Sequence, residues 1–286
     1  MAISKTALVL GFTGQDGTFL TDLLLKKGYQ VIGLVRRIST EPPHRQRGNF
    51  DYREPILSGQ LKLEPGDLNS VHSLIKIFKK HKIDEVYNLA AQSDVRLSFD
   101  MPELTSEINY FGVLNLVTVM RQYAPKAKLY QASTSEMYGQ NTNTPQDEGT
   151  PFMPVSPYAV AKLAAHWTVV NYRKEDHFAC CGILFNHESE LRGGNFVTRK
   201  ITKKVAQWPR IFNSEDFEFA KERINSGYDD FPILELGNLD GQRDWGYARD
   251  YVEAMYLMLQ ADYPDDFVVA TGEVHSVREF VEAAVR

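Results

Sequence analysis

The chain has 286 residues, of which 43% are hydrophobic and 24% charged, the composition of a globular protein with one large domain or two modest ones. Its formal net charge of -5 excludes a general electrostatic attraction to nucleic acid or to anionic membranes. Cys180 and Cys181 are adjacent in an apolar run, and no apolar stretch is long enough to span a bilayer, so we expect a cytoplasmic protein with reduced cysteines.

Short apolar runs alternate with longer amphipathic stretches through the first two thirds of the chain. The runs predict buried parallel strands at Ala7–Leu10, Val31–Val35, Leu61–Leu63, Glu85–Leu89, Lys128–Gln131 and Cys181–Phe185. The amphipathic stretches predict helices at Gly14–Lys27, Asn69–His81, Pro102–Tyr123 and Pro157–Arg173. This alternation predicts the α/β class, with residues 1–185 forming a Rossmann-type, doubly wound parallel sheet that binds a dinucleotide and carries the catalytic residues.

The pattern changes after Phe185. It predicts a short basic helix at Phe196–Ala206, an irregular insertion at Trp208–Asp230, a helix at Tyr247–Gln260, a strand at Phe267–Ala270 and a helix at Val277–Val285. We expect residues 186–286 to form mainly a smaller C-terminal α/β lobe for substrate binding, while segments such as 247–270 return to the first domain. Because the last helical pattern runs to the final residue, we expect the sequence to be a fragment that is truncated at its C-terminus.

A glycine-rich segment joins the first predicted strand to the first predicted helix. It consists of Gly11, Phe12, Thr13, Gly14, Gln15, Asp16 and Gly17. Glycines permit a tight turn and bring backbone N–H groups close to a pyrophosphate, whose charge is stabilised at a helix N-terminus. The segment therefore predicts a dinucleotide-binding loop, and an ordinary strand-to-helix turn is the alternative.

Arg36 and Arg37 follow the second predicted strand, where an acidic residue would bind the ribose 2′-hydroxyl of NAD. Guanidinium groups instead pair with a 2′-phosphate, and no carboxylate stands at these two positions to repel it. The sequence therefore predicts NADP as the cofactor, and a solvated basic loop is the alternative.

Tyr158 and Lys162 follow Ser156-Pro157, which is a favourable start for a helix. Their spacing places both side chains on one helical face. There Lys162 can stabilise the tyrosinate form of Tyr158, which can take a hydroxyl proton while a hydride leaves the same carbon. With the glycine loop upstream, we predict a redox pair; by itself the spacing would favour a surface helix.

Thr134 and Glu136 lie just beyond the fifth predicted strand, at the edge of the sheet where such folds bind ligands. Thr134 can hydrogen-bond the reacting oxygen beside Tyr158. Glu136 adds a carboxylate that an epimerase or a reductase does not need, whereas a 4,6-dehydratase needs a base at C5 of the hexose. The alternative is that Glu136 only caps the turn.

Six longer stretches carry a resemblance to a known family: Tyr130–Glu136, Ser156–Lys162, Gly182–Ser189, Asn195–Ile201, Arg243–Gly246 and Ala270–Phe280. On these residues the chain resembles the GDP-mannose 4,6-dehydratase family of extended short-chain dehydrogenases/reductases over nearly its whole length. The resemblance implies a lyase that removes water from a nucleotide-activated hexose, most specifically GDP-mannose, with NADP reduced and reoxidised in each turnover. It also implies a homodimer or a homotetramer.

The resemblance further implies roles for individual residues. Catalysis falls to Thr134, Glu136 and Tyr158, assisted by Lys162. Cofactor contacts are expected from the glycine loop, the arginine pair and a further set: Asp67, Leu68, Leu89, Ala90, Ala91, Gln92, Ser93, Tyr158, Lys162, His187 and Arg192. Substrate contacts are expected from Ser93, Thr134, Glu136, Asn186, Val197, Lys200 and Arg243.

The chain departs from the family pattern at several positions. Glu190-Leu191 stands where the family has Pro-Arg, Leu104 replaces a tyrosine, and the segment Ile38–Phe50 differs. Two rivals to the dehydratase stay open. One is an NADP-dependent epimerase or 4-ketoreductase for nucleotide sugars, and the other is a non-catalytic scaffold that keeps the cofactor fold.

Overall fold

A computed structural model describes residues 5–36, 46–47, 50–208 and 234–286. Within them, seven strands form one parallel sheet: β1 Thr6–Leu10, β2 Gln30–Val35, β3 Leu61–Pro65, β4 Glu85–Asn88, β5 Lys128–Thr134, β6 Ala179–Leu184 and β7 Asp266–Val269. Their order across the sheet is β3-β2-β1-β4-β5-β6-β7. This is the strand order of a doubly wound Rossmann sheet, so the predicted fold class is confirmed.

Helices cover both faces of the sheet. The described helices are α1 Gln15–Lys26, α2 Arg53–Leu57, α3 Val71–Lys80, α4 Val95–Asp100, α5 Pro102–Ser106, α6 Gly112–Tyr123, α7 Pro157–Arg173, α8 Val197–Val205, α9 Ala248–Gln260 and α10 Val277–Val285. One face packs against α1 and α9, and the other packs against α3, α6 and α7. Two apolar cores result, one on each side, and alternate residues of the strands contribute to each.

The C-terminal part of the chain contributes to this sheet and also forms small strand pairs beside it. Strand β7 lies at the sheet edge next to β6, and α9 packs on α1. Asn186–Glu188 pairs in parallel with Trp245–Tyr247, and Gln242–Arg243 pairs antiparallel with His275–Ser276. The division of the chain into domains at residue 185 stays a prediction. None of the described helices is both long and apolar enough to cross a bilayer.

Most predicted elements are present, with bounds shifted by no more than three residues. The predicted helix over Pro102–Tyr123 is present without a break, but it contains a π-helical turn at Glu107–Phe111 between α5 and α6 that was not predicted. In that turn the buried Asn109 accepts a hydrogen bond from the backbone N–H of Gln92 at 2.8 Å and donates one to its carbonyl at 2.8 Å. The bulge therefore places an amide that satisfies the backbone of the loop after β4.

Candidate active site

Two adjoining cavities lie where the strands end at their carboxyl edge, each with a volume of about 680 Å³. The first cavity is lined by the segments after β5 and β6 and by α7, and the second is lined by the glycine loop and by the ends of β2 and β4. Both linings include Asp16, Leu89, Ala91, Ser93 and Arg192. An extended ligand could therefore occupy both cavities, which meet at the point where the strand order reverses between β1 and β4.

The glycine loop leaves no room for side chains at its tightest points. Gly11 has φ +79°, and a Cβ there would come within 2.7 Å of the Leu89 carbonyl group. A Cβ at Gly17 would overlap the carbonyl oxygen of Gly11. Gly14 is the N-cap residue of α1. Because glycine has no side chain, it cannot accept a hydrogen bond from the first backbone N–H groups of the helix. This is the arrangement that binds a phosphate at a helix N-terminus.

The second cavity brings together most of the predicted cofactor residues: Gly11, Thr13, Gly14, Gln15, Asp16, Gly17, Arg36, Asp67, Leu68, Leu89, Ala90, Ala91, Ser93 and Arg192. Arg37 lies outside the described residues. The sequence analysis missed Leu34, Val35, Asn69, Leu104 and Ile108, which also line this cavity. Leu34 and Val35 could have been predicted as cofactor residues, because they lie at the carboxyl end of β2, where such sheets bind ligands.

Gln92 has a different environment from the other predicted cofactor residues. Among the described residues it belongs to neither cavity lining. Its side-chain amide donates to the Asp94 carbonyl at 2.9 Å and to the Thr105 hydroxyl at 3.1 Å, and its backbone is bound by Asn109. Gln92 thus stabilises the loop that positions Ala91 and Ser93.

Tyr158 and Lys162 are placed by the start of α7. The Ser156 side chain accepts a hydrogen bond from the Ala159 N–H at 3.1 Å and Pro157 occupies the first helical position, so the helix begins just before Tyr158. Both side chains are nearly buried and line the first cavity. The Lys162 ammonium donates to the Ala132 carbonyl at 2.9 Å and lies 6.0 Å from the centre of the Tyr158 ring.

The environment shifts the proton affinity of both groups. Burial raises the pKa of Tyr158 to about 12, although a hydrogen bond with Thr134 opposes this rise. Burial lowers the pKa of Lys162 to about 8. At neutral pH, therefore, most of the population has a protonated phenol beside a cationic ammonium, and a perturbed pair of this kind in a cavity is typical of a functional site.

Glu136 lies in the short 3₁₀ turn Ser135–Met137 directly after β5. Its backbone N–H donates to the Thr134 hydroxyl at 3.2 Å, and Glu136 lines the same cavity as Tyr158 and Lys162. Its charge is also close enough to raise the pKa of Tyr158 further. The turn therefore presents the carboxylate to the cavity in which the phenol and the ammonium lie.

An ion pair that sequence analysis missed joins the glycine loop to the segment after β6. The Asp16 carboxylate lies 2.9 Å from Nε2 of His187, whose Nδ1 lies 2.8 Å from the Phe185 carbonyl oxygen. Both ring nitrogens thus face acceptors, an arrangement that favours the doubly protonated imidazolium. Burial alone would lower the pKa of His187, but Asp16 raises it above its ordinary value. The ring also stacks on Tyr251 at 4.5 Å.

The predicted substrate residues divide into two groups. Asn186, Val197 and Arg243 line the first cavity with Ser93, Thr134 and Glu136, whereas Lys200 is absent from its described lining. The Lys200 ammonium donates instead to the Glu235 carbonyl at 2.6 Å. Lining residues that the sequence analysis missed include Asp94, Arg96, Glu188, Asn195 and Trp245.

Arg192 and Glu188 form a charged pair in the first cavity. Nε of Arg192 lies 3.2 Å from the Glu188 carboxylate, and the guanidinium lies over the Phe196 ring at 3.5 Å. Burial raises the pKa of Glu188, whereas Arg192 opposes that rise. Because Arg192 also lines the second cavity, its cation stands where the two cavities meet.

The strand order, the glycine loop and the Tyr158–Lys162 pair define an extended short-chain dehydrogenase/reductase fold and site. Residues 8–286 match the family model described as GDP-mannose 4,6 dehydratase. The chain is 49% identical to GDP-mannose 4,6 dehydratase of Drosophila melanogaster over 99% of its length and 68% of that protein. It is also 49% identical to GDP-mannose 4,6 dehydratase of Homo sapiens, over 97% of its own length and 71% of that protein. The chain belongs to the GDP-mannose 4,6-dehydratase family.

Solved structures with much lower sequence identity share the fold. A dTDP-glucose 4,6-dehydratase from Bacillus anthracis in complex with NAD has a TM-score of 0.76 at 19% identity, covering 99% of this chain and 80% of that chain. A UDP-glucose 4-epimerase from Thermotoga maritima with UDP-glucose has a TM-score of 0.77 at 22% identity. The match covers 98% of this chain and 81% of the epimerase chain. At these identities the similarity shows the architecture alone.

Proposed function

We propose that the chain converts GDP-mannose to GDP-4-dehydro-6-deoxy-D-mannose and water, with NADP regenerated in each turnover. One observation carries the proposal: Thr134, Glu136, Tyr158 and Lys162 line one cavity, and that cavity adjoins the one around the glycine loop. The substrate is proposed from the family, because relatives about half identical to this chain are GDP-mannose 4,6-dehydratases.

The residues of the second cavity fit a dinucleotide. The glycine loop has no room for a Cβ at Gly11 or Gly17 and provides the N-terminus of α1 for a pyrophosphate, and the Arg192 cation lies at the junction with the first cavity. Arg36, at the end of β2, is suited to a 2′-phosphate. When bound, a nicotinamide dinucleotide accepts a hydride from one sugar carbon and returns it to another.

Tyr158, Thr134 and Lys162 are proposed to act at the C4 hydroxyl of the hexose. Tyr158 takes the hydroxyl proton, and Thr134, which hydrogen-bonds the phenol, holds the reacting oxygen. The Lys162 ammonium stabilises the tyrosinate that this requires, because a cation beside a phenol favours its charged form. The hexose then carries a carbonyl group at C4.

Glu136 is proposed to transfer the C5 proton to the departing C6 hydroxyl during the elimination of water. A carbonyl at C4 makes the neighbouring C5 hydrogen acidic, and the Glu136 carboxylate removes that proton. The C5–H electrons form the C5–C6 double bond as the C6–O bond breaks, and Glu136 returns its proton to the departing hydroxyl, which leaves as water. One side chain can thus serve as base and then as acid, and no second carboxyl group is required. C6 then takes up the hydride that left C4 and C5 takes up a proton, which gives the 4-dehydro-6-deoxy product, and Tyr158 releases the proton that it took from the C4 hydroxyl.

Isotope transfer tests the proposed reaction. The purified chain is incubated with GDP-mannose deuterated at C4 and a catalytic amount of NADP, and we expect a product lighter by one water with deuterium at C6. Stoichiometric consumption of NADPH would indicate a ketoreductase, and inversion at C4 without dehydration would indicate an epimerase. Cofactor binding without turnover of GDP-, dTDP- or CDP-hexoses would indicate a scaffold.

Glu136→Gln tests the carboxylate. We expect water loss to fall by roughly 10²- to 10⁴-fold while oxidation at C4 survives, because only the second proton transfer needs this group. Glu190→Gln is the control, since Glu190 is exposed and lies outside the described linings of both cavities. An equal loss of both steps in Glu136→Gln would assign Glu136 a structural role instead.

Cofactor preference is tested at Arg36. In Arg36→Ala we expect NADP to bind roughly 10- to 150-fold more weakly, because a hydrogen bond between charged groups contributes about 1.5–3 kcal/mol. The affinity for NAD, which has no 2′-phosphate, should stay unchanged. Equal weakening of both dinucleotides would contradict the proposed role.

We also propose self-association through α7 and the π-helical turn. Phe111, Val160 and Trp167 are each about half exposed, and the two elements pack against each other. An exposed apolar patch of this kind marks an interaction surface. Analytical ultracentrifugation should give a dimer or a tetramer that Trp167→Glu weakens, and a monomeric wild type would refute the proposal.

A further inference from the structure

A mixed cluster of metal-binding side chains lies outside the proposed reaction site. His166 belongs to α7, Cys181 to β6 and Asp266 to β7, and one ligand atom from each lies within 4.8 Å of the others. His166 and Cys181 are almost completely buried. In the described part of the chain, neither cavity lining contains any of the three. Imidazole, thiolate and carboxylate together form a zinc donor set.

The contacts around His166 leave one ring nitrogen facing a carboxylate. Nδ1 lies 3.1 Å from the Ser133 hydroxyl oxygen, and Nε2 lies 3.7 Å from Oδ2 of Asp266. The second distance is too long for a hydrogen bond. When Nδ1 donates to Ser133, the Nε2 lone pair and the carboxylate oxygen face each other. A tetrahedral ion with metal–ligand bonds of about 2.0–2.2 Å separates two such ligands by roughly 3.4 Å, close to the spacing present here.

The charges around the cluster suit a divalent cation. Arg173 donates to Oδ1 of Asp266 at 2.6 Å, which leaves Oδ2 on the side of His166. Arg173 is also paired with Asp265 at 3.4 Å. A Zn²⁺ ion with a Cys181 thiolate and the Asp266 carboxylate is neutral, and Arg173 with Asp265 is neutral as well. No uncompensated charge is therefore buried.

We propose that His166 Nε2, Cys181 Sγ and Asp266 Oδ2 bind a zinc ion, with a water as the fourth ligand. The site links the edge strand β7 and its neighbour β6 to α7. Ser133 orients the imidazole through the ring nitrogen that does not bind the metal, as a hydrogen-bond partner of a metal-binding histidine usually does. On binding, the Cys181 S–H bond breaks, a Zn–S bond forms and the proton passes to solvent, without any change of oxidation state. The sulfur ligand favours zinc over magnesium or calcium.

The two adjacent cysteines provide a matched control. Cys180 belongs to the opposite core, where its thiol donates to the Met258 carbonyl at 3.4 Å. We expect wild type and Cys180→Ser to contain about one zinc per chain by elemental mass spectrometry, and Cys181→Ser to contain almost none. Chain produced in cobalt-containing medium should show a thiolate-to-cobalt absorption band in wild type and Cys180→Ser alone.

Either of two results would overturn the site: folded wild type without zinc and without the cobalt band, or Cys181→Ser that retains both. Circular dichroism establishes that each variant is folded. If Cys181→Ser does not fold, His166→Gln replaces it, because this variant keeps the thiol and should still lose most of the zinc. Because none of these measurements depends on turnover, failure of the proposed dehydration would leave this test intact.

Discussion

The ion pair between Asp16 and His187 gives a quantitative test of the site, through the substitution Asp16→Asn. The pair is largely buried, with side chains 21% and 10% exposed, and its atoms are 2.9 Å apart. Asparagine keeps the shape and can still accept one hydrogen bond from Nε2, but it removes the negative charge. His187 then either stays charged without a counterion or loses its proton.

The cost of the substitution depends on pH. Leaving a buried charge without its partner costs about 3–5 kcal/mol, which bounds the loss of unfolding free energy where His187 is protonated. Where the His187 ring is neutral, the loss of unfolding free energy is only the difference between a hydrogen bond to a carboxylate and one to an amide, about 1 kcal/mol or less.

The sign follows from the two pKa directions. In wild type the pKa of His187 is raised above its ordinary value of about 6.5, so its stabilising contribution is complete below about pH 6.5 and is lost as pH rises through the raised value. In Asp16→Asn burial dominates and lowers that pKa, so the folded state is penalised as pH falls below about 6.5. The stability difference should therefore be largest near pH 5 and shrink towards pH 9.

Urea denaturation at a series of pH values measures this difference, and NMR titration of the His187 ring measures the pKa directly. Glu273→Gln is the control, because its contact with His275 is exposed and 4.0 Å long and should contribute less than about 1 kcal/mol at any pH. A stability loss in Asp16→Asn that does not vary with pH, or an unchanged His187 titration, would refute the ion-pair argument.

Four further substitutions have defined outcomes. In Gly17→Ala the new Cβ overlaps loop carbonyl oxygens, so we expect a loss of about 1–3 kcal/mol in denaturation and weaker dinucleotide binding in fluorescence titration. Gly28→Ala, with φ +81° and no atom within 4 Å of the Cβ, should lose stability through backbone strain and keep its binding. Asn109→Leu leaves both backbone groups of Gln92 unpaired, and denaturation should show a loss of about 1–3 kcal/mol for each. The dehydration rate should fall as pH rises through about 8, where Lys162 loses its charge, and in Lys162→Arg the residual activity should lack this decline.

Local periodicity was sufficient to predict the sheet and its helices. Apolar runs and amphipathic stretches placed β1 to β7 and the long helices, and the four-residue spacing placed Tyr158 and Lys162 on one face of α7. Glu136 could be predicted as well, because it follows a strand whose carboxyl end opens into the site. Each of these inferences depends on residues that are close together in the sequence.

The features that the sequence analysis missed depend on contacts between distant segments. Asp16 and His187 were each assigned to the cofactor, but nothing in the sequence pairs two residues that are 171 positions apart. The π-helical turn follows from Asn109 reaching back to Gln92, a contact that helical periodicity does not encode. Lys200 was assigned to the substrate from the family resemblance, with its charge as support, and only the tertiary structure shows its ammonium bound to a backbone carbonyl.

The same ion pair explains how a carboxylate can stand in a loop that is suited to an anion. Asp16 lines both cavities, and an unpaired carboxylate about 5 Å from a phosphate would cost about 3 kcal/mol at an effective dielectric constant of 20. The His187 imidazolium cancels that charge, while Gln15 bonds both residues of the pair, at 3.1 Å to the Asp16 carboxylate and at 3.1 Å to the His187 carbonyl. Because His187 lies beside Asn186 and Glu188 in the first cavity, this neutralisation fixes the glycine loop against the segment proposed to bind the sugar. Cofactor affinity and sugar orientation should therefore change together when either residue of the pair is replaced.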